Sequence, residues 1–200
     1  MNDHAMREEA IINTALDLAE DRGVAGVTTA GLARRLQFTE AALYRYFPGK
    51  AAIIAASLRH LAERLFATMM LELMPDAVQH GHAVAFQIER HAQRFALRKG
   101  LLLELLIYAA AGRDEVLQSS GDGFLQEYGR QMTAYFEELQ RLQLIGATMA
   151  PAEISRLWIC QLLGGFVRCR LMREDWNPVQ QTGFHSFVGQ LKSASAVAAS

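Results

Sequence analysis

The chain predicts an all-α protein of about nine helices, and three observations carry that expectation. Its four prolines, Pro48, Pro75, Pro151 and Pro178, fall where other signals mark helix boundaries. Apolar residues recur at three- and four-residue spacing along most of the chain. No stretch sustains the alternation that a half-buried strand needs.

The first helix is expected over 3–22. Ile11, Ile12, Ala15, Leu16 and Ala19 share one face, and Gly23 supplies a stop. Val24–Val27 connects it to a second helix, Ala30–Leu36, with Leu32, Ala33 and Leu36 inward. Thr28 or Thr29 can cap that helix by accepting from its free backbone N–H groups. Gln37 and Phe38 make a turn, and Thr39 caps a third helix, Glu40–Phe47, whose buried face carries Leu43 and Phe47. Pro48 and Gly49 end it.

The fourth helix runs from Lys50 to about Leu73 with Ile54, Leu58, Leu61, Leu65 and Met69 in register, and Pro75 breaks it. A fifth is expected over about Asp76–Lys99, a sixth over Leu101–Ala111 and a seventh over Asp114–Leu144. Gly121, Asp122 and Gly123 can kink or split the seventh. Pro151 opens an eighth as a first-turn proline, reaching about Glu174, and Pro178 opens a ninth to about Lys192.

Two hundred residues make one large domain or two small ones, and an apolar fraction of 51% is ample for a core. No linker rich in Gly, Ser or Pro divides the chain. The division expected is a three-helix unit over 1–48, continuous through the fourth helix with a larger helical body over 49–200. No uninterrupted apolar run is long enough to span a bilayer, and no basic-then-apolar leader opens the sequence. Cys160 and Cys169 are nine apart in an apolar helical stretch, so both are expected to be reduced packing residues.

The segment Thr28–Lys50 carries the chemistry. Two short helices joined by a tight turn, with Tyr44, Arg45 and Tyr46 together on the second, have the layout of a helix-turn-helix DNA reader. The net charge of the whole chain is −1. Residues 30–60, however, hold Arg34, Arg35, Arg45, Lys50 and Arg59 against Glu40 alone, a net of +4. Residues 1–29 have a net of −4. The cationic charge therefore sits where phosphates would be met.

Thr29 and Thr39 each offer a hydroxyl at a helix N-terminus, which suits phosphate. Tyr44 and Tyr46 can donate phenolic hydrogen bonds. Arg45 points away from the Leu43/Phe47 face and is free to reach guanine or phosphate. Lys50 lies in the first turn of the fourth helix, where the helix dipole disfavours a cation unless an anion is near. Glu40 can accept from cytosine N4, or serve only as an acid at a helix N-terminus.

The body supplies candidates of other kinds. Leu157, Gln161, Gly164, Gly165 and Arg168 on the eighth helix, with Phe184, Phe187 and Leu191 on the ninth, suit a homodimer interface. Phe86, Phe95, Tyr108, Met132 and Phe136 are candidate lining groups for a small hydrophobic ligand, although aromatics at helical spacing need only a core. His80, His82 and His91 lack the i, i+4 spacing of helical metal ligands, so no metal is expected, and no cofactor. There is no Gly-rich phosphate loop, HExxH or GxSxG, so no enzyme is expected.

The strings AIINTALDLAEDRGVAGVTTAGLARRL and FTEAALYRYFPGK resemble the TetR family of bacterial transcriptional regulators, above all in the L-Y-x-Y-F-x-x-K pattern at Leu43–Lys50. The resemblance spans roughly residues 8–60. It implies that the third helix enters the major groove and that Thr29, Thr39, Ala41, Tyr44, Tyr46 and Lys50 face DNA. It also implies a cytoplasmic, nucleoid-associated homodimer on a two-half-site operator, usually a repressor released by a small molecule. Two departures stand out. The family's usual Gly-Val turn is Gln37-Phe38 here, and Glu40 stands where a basic or small residue is frequent. The reader, and weakly Gln161–Leu171, is also similar to the nucleoid-occlusion branch of that family, which implies a DNA-bound factor acting through a protein partner.

Overall fold

A computed structural model describes residues 3–73 and 81–197, and no strand occurs among them. The helices are α1 (Asp3–Arg22), α2 (Thr29–Leu36), α3 (Glu40–Leu43), α4 (Lys50–Glu72), α5 (Gly81–Arg94), α6 (Leu101–Ala111), α7 (Glu115–Arg141), α8 (Pro151–Met172) and α9 (Thr182–Val197). The break expected at Pro75 and the start expected at Asp76 lie outside the described residues, as does His80.

The boundaries differ from expectation where local chemistry intervenes. α3 closes at Leu43, not at Phe47. Beyond it the backbone tightens to three-residue bonds, Arg45 N to Ala42 O at 3.3 Å and Tyr46 N to Leu43 O at 3.0 Å. Phe47 precedes a proline, which disfavours the α region for it. α5 ends at Arg94, and Arg98, Lys99 and Gly100 follow in left-handed conformations. Gly100 is required there: a Cβ would lie 2.5 Å from Phe166 Cε2. α7 runs unbroken through Gly121–Gly123. Gly121 serves close packing instead of a kink, since its Cβ would sit 3.2 Å from that of Ala109 on α6. Pro178 opens a short 3₁₀ turn capped by Asn177 Oδ1, and α9 begins at Thr182.

The chain divides into two compact units. The first comprises Met1–Arg64 with Leu101–Phe124, and the second Leu65–Gly100 with Leu125–Ser200. In the first, Ile11, Leu16, Leu32, Leu43, Ile53 and Ile54 are buried. Their helices carry apolar groups at three- and four-residue spacing on the faces that meet. Glu104 of α6 accepts from Val24 N at 3.0 Å and so pins the connection between α1 and α2.

The second unit is built on an aromatic core. Trp158 of α8 lies among Phe184 and Phe187 of α9, with ring centroids 6.0 and 5.7 Å away. Tyr128 of α7 and Phe95, just beyond the end of α5, meet at 5.4 Å.

The turn between α2 and α3 holds Gln37 at φ 57°, ψ 36°. An L side chain in that region costs about 1–2 kcal/mol, while glycine adds unfolded-chain entropy worth roughly 0.4–1 kcal/mol. Gln37→Gly should therefore stabilise the protein by a few tenths to ~1 kcal/mol. Equilibrium urea unfolding checks this.

Candidate nucleic-acid interface

The reader is assembled by two threonine caps. Thr28 Oγ1 accepts from Gly31 N at 3.0 Å and starts α2. Thr39 Oγ1 accepts from Ala42 N at 3.1 Å and starts α3. Each hydroxyl accepts once and keeps its hydrogen to donate. Of the two threonines the sequence offered for α2, Thr28 is the cap. Thr29 is the first helical residue, and its hydroxyl donates to Glu40 Oε2 at 2.8 Å. That hydrogen, expected on a phosphate, is committed to Glu40. The bond also ties the N-terminus of α2 to that of α3.

Leu43, fully buried, and Phe47 anchor the recognition segment, which turns its other side outward. Thr39, Glu40, Ala41, Tyr44 and Arg45 are all exposed. Tyr44 stands 52% exposed, which is high for an aromatic with no partner surface in its own chain. Tyr46 is half-buried instead. Its ring lies edge-on to His4 at 4.9 Å and stacked beside Phe38 at 6.5 Å, so it braces α1 against the turn.

Lys50 donates from Nζ to Ala25 O at 2.9 Å, with Tyr108 of α6 5.5 Å below the ammonium. Two ammonium hydrogens remain for other acceptors. Arg35 pairs with Asp21 at 3.2 Å, and Arg34 and Arg45 are exposed. The cationic surface available to phosphate therefore centres on Arg34, Arg45 and Lys50. Thr28, whose hydroxyl caps α2 and keeps its hydrogen, is absent from the candidate DNA-binding residues that sequence reasoning named. The second threonine beside it drew attention away from the one that caps.

In the second unit the candidates separate. Phe95, Met132 and Phe136 are buried. Phe86 is 59% exposed, with the Arg90 guanidinium 5.8 Å from its ring, so it lines no interior. The inward face of α5 is Val84, Ile88 and His91, continued by Phe95 just beyond its end, and Phe86 falls opposite to it. Tyr108 belongs to the first unit, under Lys50.

Of the dimer candidates, Leu157 and Gly164 are exposed, and nothing lies within 4 Å of a Cβ placed on Gly164. Gln161, Gly164 and Arg168 line an open groove of about 520 Å³ with Cys160 and Gly183. Arg168 is also held by Glu174 at 2.8 Å and Gln181 at 2.9 Å. Gly165 is used within the chain, against Trp176. Phe184, Phe187 and Leu191 are correspondingly turned into the protomer's own core. Cys160 is exposed, whereas Cys169 packs inside as expected.

No sequence pattern announces the buried polar chain in this unit. Trp158 Nε1 donates to Tyr128 Oη at 2.6 Å, and that hydroxyl lies 2.8 Å from His91 Nε2. Burial drives the Tyr128 phenol well above its usual range. Burial also drives His91 down to about 4, with the Glu72 carboxylate opposing and Arg94 adding to the fall.

A capped two-helix reader with an outward tyrosine and arginine, joined in one chain to an all-helical body, defines a helix-turn-helix DNA-binding regulator. The family model for bacterial regulatory proteins, tetR family, matches residues 11–57. A nucleoid occlusion factor SlmA of Marinobacter nauticus is 30% identical over 143 residues, covering 68% of this chain and 70% of that protein. The chain belongs to the TetR family of DNA-binding transcriptional regulators. The tetracycline repressor protein class C of Escherichia coli is 45% identical over 51 residues, 26% of this chain and 23% of that one. The fold is shared with FadR of Bacillus subtilis, solved in complex with stearoyl-CoA, at a TM-score of 0.73 and 13% identity over 93% of this chain and 98% of that one. Among the described residues no helix is long and apolar enough to cross a membrane.

Proposed function

We propose that this regulator is a homodimeric repressor that sets α3 into the major groove at each of two half-sites and is released by a small hydrophobic or amphipathic ligand. The observation that carries the DNA reading is the capped α3 presenting Tyr44 and Arg45 outward from a buried Leu43/Phe47 base. Residues 1–48, together with Lys50 just beyond them, read DNA, and the rest of 49–200 serves ligand and dimer. Thr39, Tyr44 and Lys50 hold phosphates, Arg45 reaches a base edge or phosphate, and Ala41 lets the groove floor approach. Thr29 and Tyr46 keep the reader in shape. Glu40 accepts from cytosine N4 with Oε1, the oxygen that Thr29 does not use.

The reader's likeness to a tetracycline repressor supports the repressor role, and a chain of the same fold holding stearoyl-CoA supports a ligand in the body. α4 runs unbroken from Lys50 in the first unit to Glu72 in the second, which supports it as the element a ligand would move. For the dimer, the α8 row of exposed Leu157, half-buried Gln161 and exposed Gly164 suits a two-fold contact with a second copy.

Two substitutions test the assignment. Glu40→Gln should change base preference at one position of each half-site by about 1–3 kcal/mol, read by binding-site selection. Gly164→Glu, whose Cβ has no atom within 4 Å, should leave the protomer folded by circular dichroism. It should shift sedimentation from dimer to monomer and abolish tight operator binding.

A second reading has its own support. The similarity to the Marinobacter nucleoid occlusion factor covers 68% of the chain, far beyond the reader. On that reading the protein sits at many chromosomal sites and acts through a protein partner. The number of sites separates the two.

A further inference from the structure

Among the described residues of the second unit, three buried side-chain atoms have no hydrogen-bond partner, Glu72 Oε2, His91 Nδ1 and Trp176 Nε1, and the first two belong to the end of α4 and to α5. Glu72, at the end of α4, is held by α5: Arg94 donates to Glu72 Oε1 from both Nε and an Nη, and Arg90 reaches the same oxygen at 3.5 Å. A guanidinium fork normally gives one hydrogen bond to each carboxylate oxygen. Here every donor is placed on Oε1, and Oε2 is buried with nothing to accept from. The carboxylate side chain is only 4% exposed.

His91 falls between Arg90 and Arg94 on α5 and is fully buried. Its Nε2 faces Tyr128 Oη, which already accepts from Trp158. If the phenol gives its own hydrogen to Nε2, the neutral imidazole carries its hydrogen on Nδ1. Nδ1 is buried and unpartnered too. Each such atom costs about 1–3 kcal/mol, and native structures fill such positions with water, an ion or a ligand group.

We propose that Glu72 Oε2 and His91 Nδ1 form the polar end of a ligand site in the second unit. The ligand they take is uncharged, carries a hydroxyl or carboxamide, and has an aromatic or alicyclic body. One donor of that group satisfies Oε2, and one acceptor receives the Nδ1 hydrogen. Charge excludes the alternatives. An anion would face the open carboxylate oxygen, and a cation would face Arg94 and Arg90. A buried charge without a partner costs far more than a neutral polar group that is paired. The apolar body suits Phe95, Tyr128 and Trp158, whose rings surround His91 at 5.7, 5.8 and 6.3 Å.

This proposal rests on the ligand-released reading above and names the chemistry of its ligand. The test uses three probes of one shape, benzamide, benzoate and benzylamine, on the full dimeric chain. Binding is read by calorimetry and by the nitrogen-15 shift of His91 Nδ1. Benzamide is expected to bind best and to move the Nδ1 signal. Glu72→Gln and His91→Phe should each weaken it about tenfold, the loss of one buried hydrogen bond. The nitrogen shift reads wild type, so a variant that unfolds does not remove the test.

The proposal is overturned if benzamide binds both variants as it binds wild type, or if a charged probe binds best. It is overturned equally if no probe moves Nδ1, in which case ordered water alone fills the site. Operator affinity measured alongside separates the two levels. Release by a compound that acts undiminished on both variants removes this site and leaves ligand control standing. Benzamide or a larger carboxamide bound at Nδ1 without any loss of operator affinity keeps the site and removes the release.

Discussion

Trp158→Ala is expected to lower the unfolding free energy by about 3–5 kcal/mol, enough to unfold a domain of ordinary stability at moderate temperature. The indole is fully buried. Its removal leaves a cavity among Phe184, Phe187 and His91, and the aromatic contacts there are lost with it. It also takes the donor from Tyr128 Oη. Trp158→Phe separates the two contributions, since it keeps much of the ring and removes only the N–H. That variant should cost about 1–3 kcal/mol, the penalty of one lost buried hydrogen bond together with a smaller void. Equilibrium denaturation of both variants, with the midpoint and slope recorded, checks the pair. Equal losses would mean that the hydrogen bond, and not the packing, holds this core.

The second large effect is on pH. The His91 ring has its ordinary value of 6.5 in the unfolded chain and about 4 in the folded one, because burial disfavours the imidazolium. As pH falls below 6.5 the unfolded chain takes up a proton that the folded chain refuses. The contribution of His91 is therefore fully present above pH 6.5 and is lost progressively as pH falls toward 4. Over that whole window the loss is on the order of 3 kcal/mol. Between pH 7.5 and pH 5 it should amount to roughly 2 kcal/mol. His91→Phe has no such group and should lose that much less over the same interval. Urea unfolding at the two pH values measures the difference between the proteins, so the other histidines cancel. An identical pH dependence in wild type and variant would show that His91 is not the group responsible.

Most of the fold was legible because helices announce themselves locally. The apolar stripe of α1, Gly23 after it and Pro151 at the head of α8 are written in neighbouring residues, and the helices lie where those signals put them. Gly121 of α7 misled because its reason is tertiary. Gly121 is small for the sake of Ala109, which lies on another helix, and no local pattern records that.

The reader was legible to the level of its caps and its outward residues, but not to the level of who holds whom. Thr29 and Glu40 are eleven positions apart, and only the fold brings the hydroxyl to the carboxylate. Lys50 and Ala25 are a similar case across twenty-five positions. In the body the aromatic residues were visible, yet their sorting was not. Phe86 sits on α5 and Phe95 just past its end, and the face that turns inward is set by what α5 packs against. The Glu72–Arg94 and His91–Tyr128–Trp158 contacts join residues far apart in sequence, so spacing rules had nothing to act on.

The central claim is that α3 presents a sequence-reading surface to duplex DNA. The most direct measurement incubates the purified protein with sheared DNA of its own host and sequences what is retained, with Arg45→Ala run in parallel. The account predicts discrete enriched sites built of two related half-sites about one helical turn apart, with enrichment lost in the variant. One or a few sites beside promoters would support the ligand-released repressor, and many scattered sites would support the nucleoid-occlusion reading. Retention with no enriched sequence, or enrichment unchanged by Arg45→Ala and by Tyr44→Ala, would contradict the assignment of α3 as the reader.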